Sequence, residues 1–274
     1  MRNIQTSKNE QITSAANPLV KDVRRAIARG GLTEDGCAVA EGFHLLEEAL
    51  RSKREVPVVL VSEPVQEIVE RHVRGVKGIR TVVLPERLFG QISSTEASQG
   101  VIALVRPREW KPEFLFRGKS LVLVLDGVQD PGNAGAMVRA AEAFGASGAM
   151  FLKGTASPHH PKTLRASAGS LFRIPYVAGM DAEVATAALR QHRLAIYAAM
   201  PCGAGRKLAG DADLAEPCAL VIGSEGRGVS EALRRVATEV AIPTAGVESL
   251  NAAVAAAILL YEARRQRVSN TTKP

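Results

Sequence analysis

The chain has 274 residues, enough for one large domain or two of ordinary size, and its 46% hydrophobic and 23% charged residues exclude a disordered or fibrous chain. Only 4% of the residues are aromatic, which favours closely packed α/β layers over an aromatic-rich β-sandwich. The net charge of +7 favours an anionic partner without identifying one.

The sequence predicts neither a membrane span nor a metal or disulfide framework. No apolar run reaches the ~18 residues that a membrane-spanning helix needs, and the first eight residues lack the apolar segment of a secretory signal. The three cysteines include no CxxC pair, and the histidine pair His159-His160 is flanked by prolines, as in a surface loop. We therefore expect a soluble cytoplasmic protein without a metal site.

The first predicted helix begins after Asn17, with Asn17 as its N-cap and Pro18 at its first position. One face of this helix is apolar, formed by Leu19, Val23 and Ile27. Another face is cationic, formed by Lys21, Arg25 and Arg29. This second face is either a solvated surface or a surface that contacts backbone phosphates.

Short strands and helices then alternate as far as residue 105. Strands are predicted at 37–40, 57–61, 80–84 and 100–105, and helices at 42–51, 65–73 and 85–90. This alternation predicts a small α/β domain over residues 1–105. Residues 106–118 contain Pro107 and Pro112 near their start and no apolar period there, so they are predicted to form a linker.

A second α/β domain is predicted over residues 119–274. It opens with the continuous apolar run 121–125, which is typical of a strand buried on both faces of a parallel sheet. Further strands are predicted at 148–152, 194–199, 218–222 and 240–242, and helices at 134–144, 161–168, 182–190 and 249–267.

The first polar motif, residues 126–135, follows the first strand of this domain. In open parallel sheets, ligands bind where a strand ends and a helix begins. Asn133 is predicted to cap the following helix, whose free N–H groups attract anions, and Arg139 lies about 1.7 turns further on. The alternative is a capped surface turn with a solvated arginine. The motif contains no GxGxxG, which disfavours a nucleotide-dependent dehydrogenase.

Two further motifs follow later strands. Residues 223–228 contain three glycines, which would let a ligand approach the backbone closely, and Glu225 lies between two of them. Residues 242–251 run from Ile242 to Asn251 and precede an alanine-rich helix, for which Ser249 is the predicted N-cap. Taken separately, these motifs also fit an ordinary loop and a capped core helix.

Together, the order and spacing of the motifs resemble one known family. Asp-Pro-Gly-Asn-x-Gly-x3-Arg, then Gly-Ser-Glu-Gly, then Ile-Pro-x5-Ser-Leu-Asn-x9-Tyr-Glu, resemble the SpoU (TrmH) family of RNA ribose 2′-O-methyltransferases. Residues 119–268 resemble its catalytic domain. Residues 14–105 resemble the ribosomal-protein-like substrate-binding domain that often precedes it, through Glu41-Gly42 and residues 99–103.

The resemblance implies a fold, a cofactor and an assembly. It implies a parallel-sheet α/β domain with a deep trefoil knot, S-adenosylmethionine as cofactor, and a homodimer whose active site uses both subunits. The implied catalytic residues are Asn133, Arg139, Glu225, Ser249 and Asn251. The implied cofactor-binding residues are Ala199, Met200, Gly223, Ile242, Ser249 and Leu250. Arg165 and Ser167 resemble a substrate-side loop.

Ribosomal RNA is the expected substrate, because a separate N-terminal domain distinguishes this chain from tRNA relatives with short extensions. The alternatives are a tRNA ribose 2′-O-methyltransferase and a non-catalytic RNA-binding protein with the same fold, although the intact polar residues argue against the second. Arginine is a poor base, with a pKa above ~12. We therefore expect Arg139 to position the substrate electrostatically; the alternative is that Arg139 acts as a base after desolvation beside other cations.

Overall fold

The computed structural model describes residues 10–203 and 205–271. The segment 1–9, on which the prediction of no secretory signal rests, lies outside these residues. The described residues form two compact units. Unit 1 runs as far as Arg108 and also includes His159–Phe172, whereas unit 2 consists of Glu109–Pro158 and the residues from Arg173 onward. Residues 159–172 therefore belong to unit 1, although the sequence places them among the motifs of the second half.

Unit 1 is built around a mixed sheet. Its strands are β1 (Glu10–Gln11), β2 (Ala38–Glu41), β3 (Val58–Ser62), β4 (Arg80–Leu84) and β5 (Val101–Val105). Its helices before residue 108 are α1 (Pro18–Arg29), α2 (Phe43–Arg51), α3 (Gln66–Val73) and α4 (Glu86–Gly90). The strand order is β1-β4-β3-β5-β2, in which β5 runs antiparallel to both of its neighbours. The predicted alternation of strands and helices is confirmed.

Helix α1 begins where the sequence predicts. The side chain of Asn17 accepts a hydrogen bond from Leu19 N at 2.9 Å, which satisfies one of the free N–H groups of the first turn. Gly30 ends the helix in the left-handed conformation with φ of 60°. Val23 is fully buried and Ile27 packs against the same core, so the apolar face predicted for this helix is confirmed.

Unit 2 is built around a larger sheet. Its strands are β6 (Leu121–Asp126), β7 (Gly148–Leu152), β8 (Tyr176–Met180), β9 (Ala195–Met200), β10 (Lys207–Leu208), β11 (Cys218–Gly223) and β12 (Thr238–Ala241). The helices of the second half are α5 (Pro131–Ala143), α6 (Pro161–Ala166, in unit 1), α7 (Ala182–Gln191), α8 (Glu231–Arg234) and α9 (Ala252–Thr271).

All paired strands of this sheet are parallel, in the order β10-β12-β9-β11-β6-β7-β8. Strand β6 is buried along its whole length, as its continuous apolar run predicts. From β6 the chain adds β7 and β8 on one side and the remaining strands on the other. Asp126 and Gly223, the last residues of β6 and β11, are partners in the register. The strand order reverses at this point, where parallel sheets bind ligands.

Two predicted helix caps are wrong. Helix α5 begins at Pro131, and the carboxylate of Asp130 accepts from Asn133 N at 2.7 Å, so Asp130 is the cap and Asn133 already lies inside the helix. Helix α9 begins at Ala252, and Oδ1 of Asn251 accepts from Ala253 N at 2.9 Å. Asn251 is therefore the cap, and Ser249 precedes the helix by three residues.

Some elements of the fold differ from what the sequence predicts. Strand β8 is absent from the predicted strands, although its sequence is largely apolar, and it is partly exposed and contains Gly179 in a left-handed conformation. The histidine pair is half-buried instead of lying in an exposed loop. His160 caps α6 by accepting from Lys162 N at 3.0 Å, and burial lowers the pKa of His159 to about 4.

Residues 112–116 of the predicted linker form a 3₁₀ helix, and Leu115 is fully buried in the core of unit 2. Over the described residues, no helix is long and apolar enough to cross a bilayer.

Candidate functional site

A cavity of about 220 Å³, cavity A, opens at the carboxyl ends of β9, β11 and β12 in unit 2. Its wall combines backbone at the strand ends with aliphatic side chains such as Ile222, Ile242 and Leu259. All six residues that the sequence suggested for cofactor binding lie in this wall: Ala199, Met200, Gly223, Ile242, Ser249 and Leu250. Three separate stretches of sequence therefore meet at one site.

The loop after β11 forms one side of cavity A and closes on itself. Ser224 N donates to Gly228 O at 3.1 Å, and Gly228 N donates back to Ser224 O at 2.8 Å. A Cβ atom on Gly223 would lie 2.2 Å from the carbonyl carbon of Gly228 and 2.3 Å from Val229 N. Gly223 is therefore required by the return of its own loop, a different reason from the ligand approach that the sequence suggested.

Two other loops are joined at the rim of cavity A. The thiol of Cys202 donates to Ile242 O at 3.0 Å, which links the segment after β9 to the segment after β12. Arg206 donates to Pro201 O at 2.6 Å and to the carboxylate of Glu239 at 2.9 Å. The hydrogen bonds from Arg206 and Arg234 hold the pKa of Glu239 below its usual value. These contacts fix the loop that contains residues 201–203 at the cavity rim.

A second cavity, cavity B, lies beside the amino-terminal end of α5. It is lined by Val128, Gln129, Asp130, Asn133, Ser224, Glu225, Gly226, Arg227 and Ala252. Cavities A and B share Ser224, Glu225 and Ala252 as wall residues. A largely apolar cavity and a polar cavity thus adjoin each other across the side chain of Glu225.

Three of the polar residues suggested by the sequence form a hydrogen-bonded chain. Nδ2 of Asn251 donates to Oδ1 of Asn133 at 3.3 Å, and Nδ2 of Asn133 donates to Oε1 of Glu225 at 2.8 Å. We call Asn251, Asn133 and Glu225 the polar chain. Within the described residues, Oε2 of Glu225 has no hydrogen-bond partner. The polar chain therefore ends in an acceptor that is free to bind a hydroxyl group.

Arg139 is not brought to either cavity. It is exposed on α5, and it lines neither cavity A nor cavity B. Ser249, by contrast, lies in the wall of cavity A, and Asn251 contacts cavity B only through Asn133. Of the five suggested catalytic residues, the structure brings together four: Asn133, Glu225, Ser249 and Asn251.

The suggested substrate-binding residues all lie in unit 1. Lys21, Arg25 and Arg29 are exposed on α1, and Arg25 forms an ion pair with Glu34. Arg165, on α6, is partly exposed. Ser167 is fully buried and its hydroxyl donates to Leu164 O at 2.8 Å, and its assignment to substrate binding stays a prediction.

Several wall residues were not suggested by the sequence. They include Pro201, Cys202, Ser224, Thr244, Glu248, Ala255 and Leu259. Ser224, Thr244 and Glu248 lie inside the motifs 223–228 and 242–251, but the sequence offers no reason to choose them over their neighbours. Only the folding of these segments over the strand ends brings them to the cavity. Over the described part of the chain, no group of three or more His, Cys, Asp or Glu side chains is arranged to hold a metal ion.

Comparisons with known proteins cover nearly the whole chain. Residues 120–261 match the SpoU rRNA Methylase family, and residues 17–103 match the MRM3-like substrate binding domain. The chain is 35% identical over 258 residues to the 23S rRNA (guanosine(2553)-2′-O)-methyltransferase RlmP of Bacillus subtilis, and this match covers 93% of this chain and 99% of that protein.

Two solved structures share the fold over both units. The SpoU methyltransferase AviRb from Streptomyces viridochromogenes, in complex with the cofactor AdoMet, superposes with a TM-score of 0.82 at 26% identity and covers 92% of this chain and 99% of that one. The AdoMet-bound rRNA methyltransferase from Sinorhizobium meliloti superposes with a TM-score of 0.78 at 29% identity and covers 93% and 97%.

Proposed function

This chain belongs to the SpoU rRNA methylase family and is an S-adenosylmethionine-dependent RNA ribose 2′-O-methyltransferase, and from that premise we propose that it methylates a nucleotide of ribosomal RNA. The named substrate of the similar Bacillus subtilis enzyme, 23S rRNA, supports this choice. The match to a substrate-binding domain over residues 17–103 supports it too, because the chain carries a whole unit besides the methylase region. A cytoplasmic location is proposed together with the ribosomal RNA substrate.

Cavity A is the proposed site of S-adenosylmethionine, which supplies a methyl group activated by its bond to a sulfonium sulfur. The residues present fit this cofactor. Aliphatic side chains such as Ile222 and Leu259 offer an apolar surface to a flat base, and the exposed strand ends at Met200 and Gly223 offer backbone donors and acceptors. Glu248, at the same cavity, is a carboxylate that can accept hydrogen bonds from hydroxyl or ammonium groups.

Cavity B is the proposed site of the target ribose. The observation that carries this assignment is that cavities A and B adjoin at Ser224, Glu225 and Ala252, because methyl transfer needs the acceptor oxygen held in direct, in-line reach of the donor methyl group. The polar chain ends in the free Oε2 of Glu225, which we assign as the acceptor of the hydrogen bond from the ribose hydroxyl. Asn133 and Asn251 fix the orientation of that carboxylate.

Arg139 is proposed to reach the site of a second copy in a homodimer. The exposed side of α9 carries Val254, Ile258 and Tyr261, which are 48%, 38% and 55% exposed at helical spacing. The Tyr261 ring contacts Phe144, at the end of α5, and Arg139 lies on the exposed side of α5. An apolar surface of this kind next to the site fits a second copy of the chain, which would desolvate Arg139 and let it stabilise the reacting hydroxyl electrostatically.

A knotted backbone in unit 2 is also proposed. The family resemblance supports it. The path of the chain after β12 supports it as well, because β12 lies beyond β9 in the sheet, yet the residues that follow β12 turn back and line cavity A beside the ends of β9 and β11.

The N-terminal unit is proposed to supply RNA affinity through α1. Lys21 and Arg29 are exposed. The ion pair of Arg25 with Glu34 is solvent-exposed on both sides, so it contributes little to stability, and Arg25 can exchange it for an interaction with a phosphate.

Neutralising the three cations together should lower the log–log slope of RNA affinity against salt by about 0.7–0.9 for each phosphate that the variant no longer neutralises. A matched control neutralises three exposed cations elsewhere in unit 1: Arg71, Arg74 and Lys77. Equal slopes for the two triple variants would remove α1 from the RNA surface.

The proposed function is tested by mapping ribose methylations in total RNA. A deletion strain should lack one 2′-O-methyl group in ribosomal RNA that its parent carries, and the purified protein with S-adenosylmethionine should restore it. An unchanged ribosomal methylation pattern with a lost tRNA methylation would contradict the assignment to ribosomal RNA. Calorimetry that detects no S-adenosylmethionine binding at ~1 mM, the weak end of ligand affinities, would contradict the assignment of cavity A.

A further inference from the structure

Unit 1 contains a buried carboxylate with an unusual number of hydrogen-bond donors. Glu41, the last residue of β2, is 4% exposed. Its Oε1 accepts from the hydroxyls of Ser93, Thr95 and Ser98, the last two at 3.0 and 3.2 Å. Its Oε2 accepts from Ser94 N at 3.0 Å and from the Ser94 hydroxyl. Burial raises the pKa of Glu41, but these hydrogen bonds outweigh it and hold the pKa below the ordinary value.

Glu41 and Ser94 also hold the side chain of Arg165. One terminal nitrogen of its guanidinium, Nη1, donates to the hydroxyl of Ser94 at 2.7 Å and lies 3.5 Å from Oε2 of Glu41. A continuous series of hydrogen bonds therefore runs from Arg165 through Ser94 to Glu41. These residues are separated by 71 and 53 positions in the sequence, so only the folded unit brings them together.

The guanidinium is held along one edge only. Within the described residues, Nε and the second terminal nitrogen of Arg165 have no hydrogen-bond partner, and 29% of the side chain is exposed. A guanidinium presents its donors as a flat fork that matches the oxygens of a phosphate. Because one edge is already fixed by Ser94, less side-chain freedom remains to be lost when the open edge binds an anion.

The charge of Glu41 does not cancel this anion site. Most of the carboxylate's acceptor capacity is used by hydroxyl and N–H donors of residues 93–98. The direct approach of Arg165 to Glu41 is long, at 3.5 Å, and the short contact goes to the neutral hydroxyl of Ser94. Glu41 therefore orients Ser94, and Ser94 orients Arg165.

We propose that Glu41 and Ser94 are positioning residues that hold the guanidinium of Arg165 ready for a two-point contact with a phosphate of the substrate RNA. This inference rests on the proposed function, which supplies RNA as the substrate. It assigns to Glu41 a role in substrate recognition as well as in the packing of the loop at residues 93–98.

The test is a double-mutant cycle on the full-length protein, read as the KM for RNA in methyl transfer and as RNA affinity in a direct binding assay. Ser94→Ala should raise KM about tenfold, the scale of one missing hydrogen bond to a charged group, with kcat and S-adenosylmethionine affinity within about twofold of wild type. Arg165→Ala should raise KM at least as much. Adding Ser94→Ala to Arg165→Ala should change KM by less than about twofold, because Ser94 acts through Arg165.

Thr95→Val is the matched control. It removes another donor to Glu41 without changing side-chain volume, and Thr95 does not contact Arg165. It should leave the KM for RNA near the wild-type value even if it lowers the unfolding temperature. Equal effects of Thr95→Val and Ser94→Ala on KM, or additive effects of Ser94→Ala and Arg165→Ala, would overturn the inference.

Failure of the proposed function gives a different result. A wild-type protein that binds ribosomal RNA but transfers no methyl group to it would contradict the proposed function, while the binding cycle would still decide the role of Ser94. A wild-type protein that methylates RNA with an additive cycle would contradict only the positioning role.

Discussion

Gly223→Ala tests whether the closed loop after β11 forms the boundary of the cofactor site. The new Cβ atom would lie 2.2–2.4 Å from three backbone atoms of Gly228 and Val229, distances that no flexible side chain can relieve. The loop must therefore open, which breaks the two backbone hydrogen bonds between Ser224 and Gly228.

The magnitude follows from these interactions. Two hydrogen bonds contribute about 1 kcal/mol each, and forced overpacking against the backbone adds about 1–3 kcal/mol. If this total of about 3–5 kcal/mol acts on the loop alone, S-adenosylmethionine affinity falls by about 100-fold or more. Ser224 and Glu225 line both cavities, so methyl transfer should fall by more than cofactor binding does.

Calorimetric titration with S-adenosylmethionine measures the effect, and denaturant unfolding separates a local loss from global destabilisation. Gly226→Ala is the matched control in the same loop. A Cβ atom there would have no heavy atom within 4 Å, so the free energy of unfolding and the free energy of S-adenosylmethionine binding of this variant should each stay within about 0.5 kcal/mol of the wild-type value. Wild-type cofactor affinity in Gly223→Ala, or an equal loss in Gly226→Ala, would refute the reasoning.

Three further predictions concern other parts of the molecule. Arg139→Ala should abolish methyl transfer but keep S-adenosylmethionine affinity within a few-fold, since Arg139 lines neither cavity, and calorimetry with a methyl-transfer assay checks both. Ile258→Glu should dissociate the proposed dimer in sedimentation, whereas Val184→Glu, at an apolar residue that is also exposed but lies on α7, should not. The pKa of Glu41 lies below its ordinary value of 4.5, so its ionised carboxylate contributes stability to unit 1 that is fully present above pH 4.5 and is lost as the pH falls through the lowered pKa. The difference in unfolding free energy between wild type and Glu41→Gln should therefore shrink below pH 4.5, and denaturant titrations at several pH values measure it.

The elements with regular patterns could be predicted from the sequence. Strand β6 follows from a continuous apolar run, and α1 follows from a cap, a proline and apolar residues spaced four apart. The caps of α5 and α9 could not be chosen correctly, because Asp130, Asn133, Ser249 and Asn251 are all good capping residues. Only the backbone conformation decides among neighbours of equal propensity.

The interactions that join distant segments could not be predicted. Arg165 and Glu41 are separated by 124 positions, and no local pattern in either segment indicates the other. The assignment of residues 159–172 to unit 1 has the same origin, since their helical pattern gives no information on which sheet they pack against. By contrast, the six cofactor-binding residues suggested from the motifs do come together in the wall of cavity A. The reason is that each motif follows a strand of one parallel sheet, and the carboxyl ends of such strands lie at one edge of the sheet.

The polar chain explains why Asn251 is an amide, although an acid would cap α9 equally well. Oδ1 of Asn251 caps α9, while its Nδ2 donates to Asn133, so the residue must accept and donate at once. An aspartate would cap the helix as well, but it could not donate, and its charge would add to that of Glu225 nearby. Asn133 likewise accepts from Asn251 and donates to Glu225. Since both amide donors are directed along the chain toward the carboxylate, the direction of the polar chain is fixed, and Oε2 of Glu225 is left as its free acceptor.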